Sequence, residues 1–124
     1  MHNKVRWGII GLGNIASKFA ADLLLSDDAV LYGVASRSLE KAKKFGKTYQ
    51  AMHHFDSYEA LAKDPNIDVI YIATPHTFHF ENTMMCLAQN KHVLCEKPMG
   101  IRKEQVEIMV AEARSRNLFL MEGI

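Results

Sequence analysis

Six short apolar runs alternate with stretches of helical periodicity, and this alternation limits the possible folds more than any other feature. The runs are VRWGII (5–10), VLYGVAS (30–36), AMHHF (51–55), DVIYIATP (68–75), HVLCEKP (92–98) and LFLMEGI (118–124). After the first run, Ile15, Phe19 and Leu23 recur at every fourth residue, the period of one helix face. SLEKAKKFGK opens on Ser38, a residue type that caps helices, and SYEALAKD (57–64) reads as a short helix stopped by Pro65. TFHFENTMMCLAQN (77–90) sets Phe80, Met84, Leu87 and Ala88 at helical spacing, and residues 102–116 place Val106, Met109, Val110 and Ala113 on one face. Strands alternating with helices predict an α/β fold, a doubly wound parallel sheet covered on both faces. The fourth run supports this, because it is apolar without polar alternation, as in a strand buried on both sides. Right-handed crossovers make 3-2-1-4-5-6 the most economical strand order, with a crevice at the carboxyl ends of strands 1 and 4.

The length of 124 residues suits one domain, residues 1–124. With 15 basic against 14 acidic residues, the chain has no charge excess of the kind that binds nucleic acid. No apolar run is long enough to span a membrane. The opening MHNKVRW lacks the charged-then-apolar pattern of a secretory leader. Cys86 and Cys95 have no metal or redox spacing, so a reducing, cytoplasmic setting with free buried thiols is expected.

Three positions in GIIGLGNIA (8–16) give the pattern G-x-G-x-x-A: Gly11, Gly13 and Ala16. Between a strand and a helix this pattern fits a dinucleotide. Gly11 makes the turn, Gly13 lets a pyrophosphate approach the backbone, and Ala16 keeps the helix close to the strand. The helix amides and dipole then face the phosphates. An acid that would hold a ribose 2′-hydroxyl is expected roughly 20 residues further on. Here Ser36, Arg37 and Ser38 stand at the end of the second strand instead. Arg37 suits a 2′-phosphate and can lie flat on adenine, which favours NADP, with NAD as the second choice. The bland alternative is a solvated arginine beside a helix cap.

TPHTFH (74–79) follows the fourth strand and faces the glycine turn across the crevice. Thr74 and Pro75 are placed to line the nicotinamide side, with His76 and His79 in reach of a ligand. Alternatively, His79 caps or packs in an ordinary turn. CEKP (95–98) closes the fifth strand at the crevice mouth, where Lys97 can hydrogen-bond a hydroxyl and help move a proton. A cis Lys97–Pro98 bond would turn that lysine inward. The alternative there is an exposed ion pair. A metal site is not expected: His53 and His54 are adjacent on a strand and point to opposite faces. Met84, Met85 and Met109 read as core fillers.

GIIGLGNIA, VASRSLEKA, YIATPHTFH and LCEKPMG, in this order, resemble the N-terminal Rossmann domain of the Gfo/Idh/MocA oxidoreductase family. VASRSLEKAKKF and FLMEGI look most like its dihydrodiol and xylose dehydrogenase branch. The resemblance implies that Gly11, Gly13, Asn14 and Ile15 hold the pyrophosphate and that Ser36 and Arg37 hold the 2′-phosphate of NADP. It implies that Thr74, Pro75, His76 and His79 line the crevice. Glu96 and Lys97 would place the nicotinamide ribose, and Lys97, the candidate catalytic residue, would contact substrate. The resemblance implies a second domain that supplies most of the substrate pocket, and residues 1–124 are expected to hold only the nucleotide-binding one, with the C-terminal substrate domain absent. The expectation is therefore the cofactor half of an NADP-dependent oxidoreductase for a sugar, polyol or diol, binding cofactor without turnover by itself. A small-molecule substrate would bind only in a full-length parent. The alternative is a non-catalytic nucleotide-binding or assembly module. Apolar surface left bare near strands 5 and 6 would favour a homo-oligomer.

Overall fold

A computed structural model describes residues 3–123. Its strands are β1 (Val5–Ile10), β2 (Ala29–Ala35), β3 (His53–Phe55), β4 (Val69–Ile72), β5 (His92–Cys95) and β6 (Leu120–Glu122). Its helices are α1 (Asn14–Leu24), α2 (Leu39–Thr48), α3 (Tyr58–Lys63), α4 (His79–Ala88) and α5 (Lys103–Ser115), with a 3-10 turn over His76–Phe78. The strands form one parallel sheet in the order β3-β2-β1-β4-β5-β6, the order expected from the sequence.

Burial follows this layering. Ala16, Ala20 and Leu23 of α1 and Ala42 and Phe45 of α2 pack with Ile9, Leu31, Val34 and Tyr71. Leu61 of α3, Cys86 and Leu87 of α4, and Met109 of α5 pack with Ile10, Ile70, Ile72 and Val93. The helices thus divide two and three across the sheet. Each fully buried Ile or Leu in these layers contributes roughly 1.5–3 kcal/mol. All four residues of β4 are buried, as its apolar run requires. Ser38 and Ser57 cap α2 and α3 by accepting hydrogen bonds from the amides of Lys41 and Ala60.

The face of α1 differs from the expected one. Ile15 is 45% exposed, while Ala16 and Ala20 are fully buried and Phe19 is half-buried. The two alanines bring α1 close to the sheet, and Ile15 stays at the open end. Strands β4 and β5 also end earlier than their runs, because residues 73–75 and 96–98 turn outward into the crevice. Ile124, at the end of the last run, lies outside the described residues.

Two polar features pin the opposite end of the sheet. Arg6 and Asp68 join β1 to β4 through a side-chain pair at 3.2 Å and the Arg6 amide on the Asp68 carboxylate at 2.8 Å. Lys91 is buried, and its ammonium donates to the carbonyls of Asp64 and Ile67, closing the loop that leads into β4.

Across the α1 face the register runs Ile9–Tyr71–Leu94–Met121. Exposure rises along it, from 0% at Ile9 and 3% at Tyr71 to 61% at Met121. With Trp7 and Phe119, these last residues line a broad groove of about 1300 Å³. The bare apolar surface expected near strands 5 and 6 lies here. Among the described residues no helix is long and apolar enough to cross a membrane.

Candidate functional site

The carboxyl ends of β1, β2, β4 and β5 bring most of the expected residues to one crevice. Gly11 has φ +87°, and a Cβ there would lie 2.6 Å from both the Ala73 carbonyl carbon and the Thr74 nitrogen. The glycine is therefore fixed twice, by its left-handed backbone and by the neighbouring turn. The Ala73 amide donates to Ile10 O at 2.9 Å, which holds that turn in place.

Gly13 meets the opposite condition: a Cβ built on it finds nothing within 4 Å. It is the N-cap of α1, has φ −96°, and no side chain caps the helix. The amide end of an eleven-residue helix thus opens onto free space, with Asn14 and Ile15 exposed beside it. Such an end attracts anions through its unpaired N–H groups and its dipole. Ala16 is fully buried beneath it, as close helix packing needs.

At the end of β2, Ser36 is buried, and its hydroxyl accepts the Ser38 amide at 3.2 Å. Ser36 and the Ser38 cap shape the backbone so that Arg37 is left exposed between them. Arg37 lines a cavity of about 190 Å³ with Tyr58, Thr74, Pro75, Phe78 and Asn82. Among the described residues no carboxylate pairs with Arg37.

After β4, Thr74 is buried and donates its hydroxyl to Asn82 Oδ1 at 2.7 Å. Pro75 and His76 are exposed at the crevice. His79 is not: it is 2% exposed, and both ring nitrogens contact backbone carbonyls, Nδ1 at Pro98 and Nε2 at Thr74. Here the packing alternative for His79 describes the side chain, which builds the crevice wall from behind.

The Lys97–Pro98 bond is cis. Lys97 is exposed at the crevice mouth, and Glu96 is half-buried. Glu96 accepts a hydrogen bond from the Tyr71 hydroxyl at 2.5 Å, and its amide bonds Ile72 O at 2.9 Å. Burial, then the Glu96 carboxylate, raises the Tyr71 pKa, so the phenol stays protonated and donates. The Tyr71 ring stacks on Phe19 of α1 with centroids 4.0 Å apart, linking the helix behind the glycines to the glutamate beside Lys97.

Tyr58, Phe78 and Asn82 also belong to this site, and the sequence did not mark them. Asn82 lies three residues after His79, one turn along the same helix, which was the one signal for it. Phe78 lies within TPHTFH, whose place at the crevice was the signal for it, and Tyr58 reaches the cavity only through tertiary packing. His53 and His54 lie exposed on β3, and no three potential metal ligands converge among the described residues.

Comparison with known proteins agrees with this geometry. The trans-1,2-dihydrobenzene-1,2-diol dehydrogenase of Homo sapiens is 48% identical over 122 residues, which is 97% of this chain and 36% of that protein. The 3-ketoreductase KijD10 of Actinomadura kijaniata, solved with NADP and TDP-benzene, superposes with a TM-score of 0.95 at 33% identity, over 98% of this chain and 37% of that one. A probable dehydrogenase from Thermotoga maritima gives a TM-score of 0.89 at 27% identity, over 96% of this chain and 36% of its own. The chain thus spans about a third of the length of the relatives it matches. Residues 5–124 match the oxidoreductase family with an NAD-binding Rossmann fold, and the chain belongs to that family, Gfo/Idh/MocA.

Proposed function

We propose that the chain binds NADP(H) as the cofactor domain of an oxidoreductase acting on a sugar, polyol or diol. The observation that carries this reading is the cavity at the end of β2, where Arg37, without a carboxylate partner among the described residues, stands in the place of an acid. An acid there would repel a 2′-phosphate, whereas a guanidinium binds one with directed hydrogen bonds. The rest of the crevice fits the same ligand. Gly13 leaves room for a pyrophosphate at the amide end of α1. Phe78 and Tyr58 offer apolar faces to an adenine opposite Arg37. KijD10 was solved with NADP, and the mammalian relatives are named for a diol substrate, which supports both halves of the proposal.

When bound, the nicotinamide takes up or gives the hydride. The chain's own residues bind and orient. Thr74 and Pro75 would run from the Arg37 cavity to the nicotinamide side, which Glu96 and Lys97 would close from the end of β5. Lys97 is solvent-accessible and carries three donors, so its ammonium suits a substrate or ribose hydroxyl and can pass a proton there. Hydride transfer also needs the substrate held at near-attack distance. Lys97 and Pro98 are both exposed here, so this chain by itself is expected to bind without turnover.

Calorimetric titration of NADPH and NADH into the chain and into Arg37→Ala tests the reading. One charge-assisted contact is worth roughly 1.5–3 kcal/mol, so the NADPH preference should be about tenfold to a hundredfold. Arg37→Ala should weaken NADPH far more than NADH. Equal affinities in the wild type, or equal losses in the variant, would reduce Arg37 to a surface arginine.

A further inference from the structure

His79 joins two turns that come from different strands. Its Nδ1 lies 2.7 Å from the carbonyl oxygen of Pro98, and its Nε2 lies 2.7 Å from that of Thr74. A carbonyl oxygen only accepts, so the ring nitrogen that carries hydrogen donates to it, and the ring packs edge-on against the other carbonyl. Among the described residues neither ring nitrogen meets a carboxylate.

The two turns are not equally well held. The Thr74 turn is tied by the Ala73 amide to Ile10 and by the Thr74 hydroxyl to Asn82, and it abuts Gly11. Residues 97–99 are held by Pro98 O to His79 and by the Met99 amide to Glu122 Oε2 at 2.9 Å. The imidazole is thus the direct tie from the better-fixed lip of the crevice to the less-fixed one, which carries Lys97.

We propose that His79 is a positioning residue whose ring, set between the carbonyls of Thr74 and Pro98, fixes the Lys97–Pro98 turn against the Thr74–Pro75 turn and so defines the nicotinamide end of the crevice. The proposal rests on the NADP(H) reading given above. It assigns His79 no contact with the cofactor, because the side chain is buried and both nitrogens are engaged.

Calorimetry on the full chain tests it, with NADPH and with 2′,5′-ADP, which carries only the adenosine end, on the wild type and His79→Gln. Loss of the tie between the two turns should weaken NADPH about tenfold. 2′,5′-ADP should stay within about twofold, since the adenosine end is held by Arg37 and the better-fixed turn. Equal losses for both ligands would mean a merely structural histidine, and no loss for either would mean no role in the crevice. A wild-type chain that binds neither ligand would overturn the cofactor reading itself, and the proposal with it.

Discussion

Replacing Gly11 and Gly13 by alanine, one at a time, separates two roles that a glycine motif combines. At Gly11 a side chain is strained in two ways. The backbone is at φ +87°, which costs a non-glycine residue roughly 1–2 kcal/mol. The new Cβ would sit 2.6 Å from two backbone atoms of residues 73 and 74, which the Ala73–Ile10 hydrogen bond holds in place. Overpacking of this kind costs roughly 1–3 kcal/mol. Gly11→Ala should therefore lose about 2–5 kcal/mol, a large share of the roughly 5–15 kcal/mol that holds a domain folded. At Gly13 the backbone is at φ −96° and the Cβ would meet nothing, so only the poorer capping of alanine counts, about 1 kcal/mol or less. The new methyl would stand where the pyrophosphate approaches. Gly13→Ala should keep its fold yet lose at least about tenfold in NADPH affinity. Urea unfolding followed by the fluorescence of Trp7, the chain's one tryptophan, and calorimetry with NADPH read both effects. A Gly11→Ala chain with the wild-type midpoint and slope would refute the steric reasoning. A Gly13→Ala chain that binds NADPH as tightly as wild type would refute the placement of the phosphates.

Three further outcomes follow from the packing. Burial pushes the Asp68 carboxyl up, but the Arg6 hydrogen bonds outweigh it and hold the pKa below its ordinary value, so the pair stabilises above the ordinary carboxylate range and the gain is lost as pH falls through the folded pKa. Asp68→Asn should lower the melting temperature at pH 7, and the gap from wild type should close in acid; a gap independent of pH would contradict this. The Thr83 hydroxyl is buried without a hydrogen bond of ordinary geometry, although it lies near enough to the Cys95 thiol to lower that group's pKa. The missing bond is the better guide to stability, so Thr83→Val should be neutral or raise the urea midpoint, and a marked loss would show a real partner. Burial pushes the Cys86 and Cys95 thiols up to about 12 and about 11. Neither should react with a disulfide reagent at pH 8 until the chain is unfolded, and prompt labelling of the native protein would contradict their burial.

Local pattern carried the fold far. The order of the six strands is the most economical one for alternating strands and helices with right-handed crossovers, and the cap serines appear where a polar residue precedes a helical period. Pattern failed where tertiary neighbours decide. Ile15 is apolar and in phase with Phe19 and Leu23, but the sheet is met by Ala16 and Ala20, whose small size lets α1 come close. The fourth run reads as strand through Pro75, yet the strand ends at Ile72, and residues 73 and 74 pass close against Gly11, which only a residue without a side chain allows. For His79 the sequence left ligand contact and packing open, since the answer lies in carbonyls of residues 74 and 98. Tyr58 was missed for the same reason.

Backbone amide NMR during an NADPH titration tests the central claim most directly, because the Arg37 cavity and the broad groove beside Trp7 lie at different places on the sheet. The account predicts saturable shifts at one site per chain, largest at Gly13, Asn14, Ile15, Arg37 and Thr74. Shifts concentrated instead around Trp7, Leu94, Phe119 and Met121, or no saturable shift at all, would contradict it.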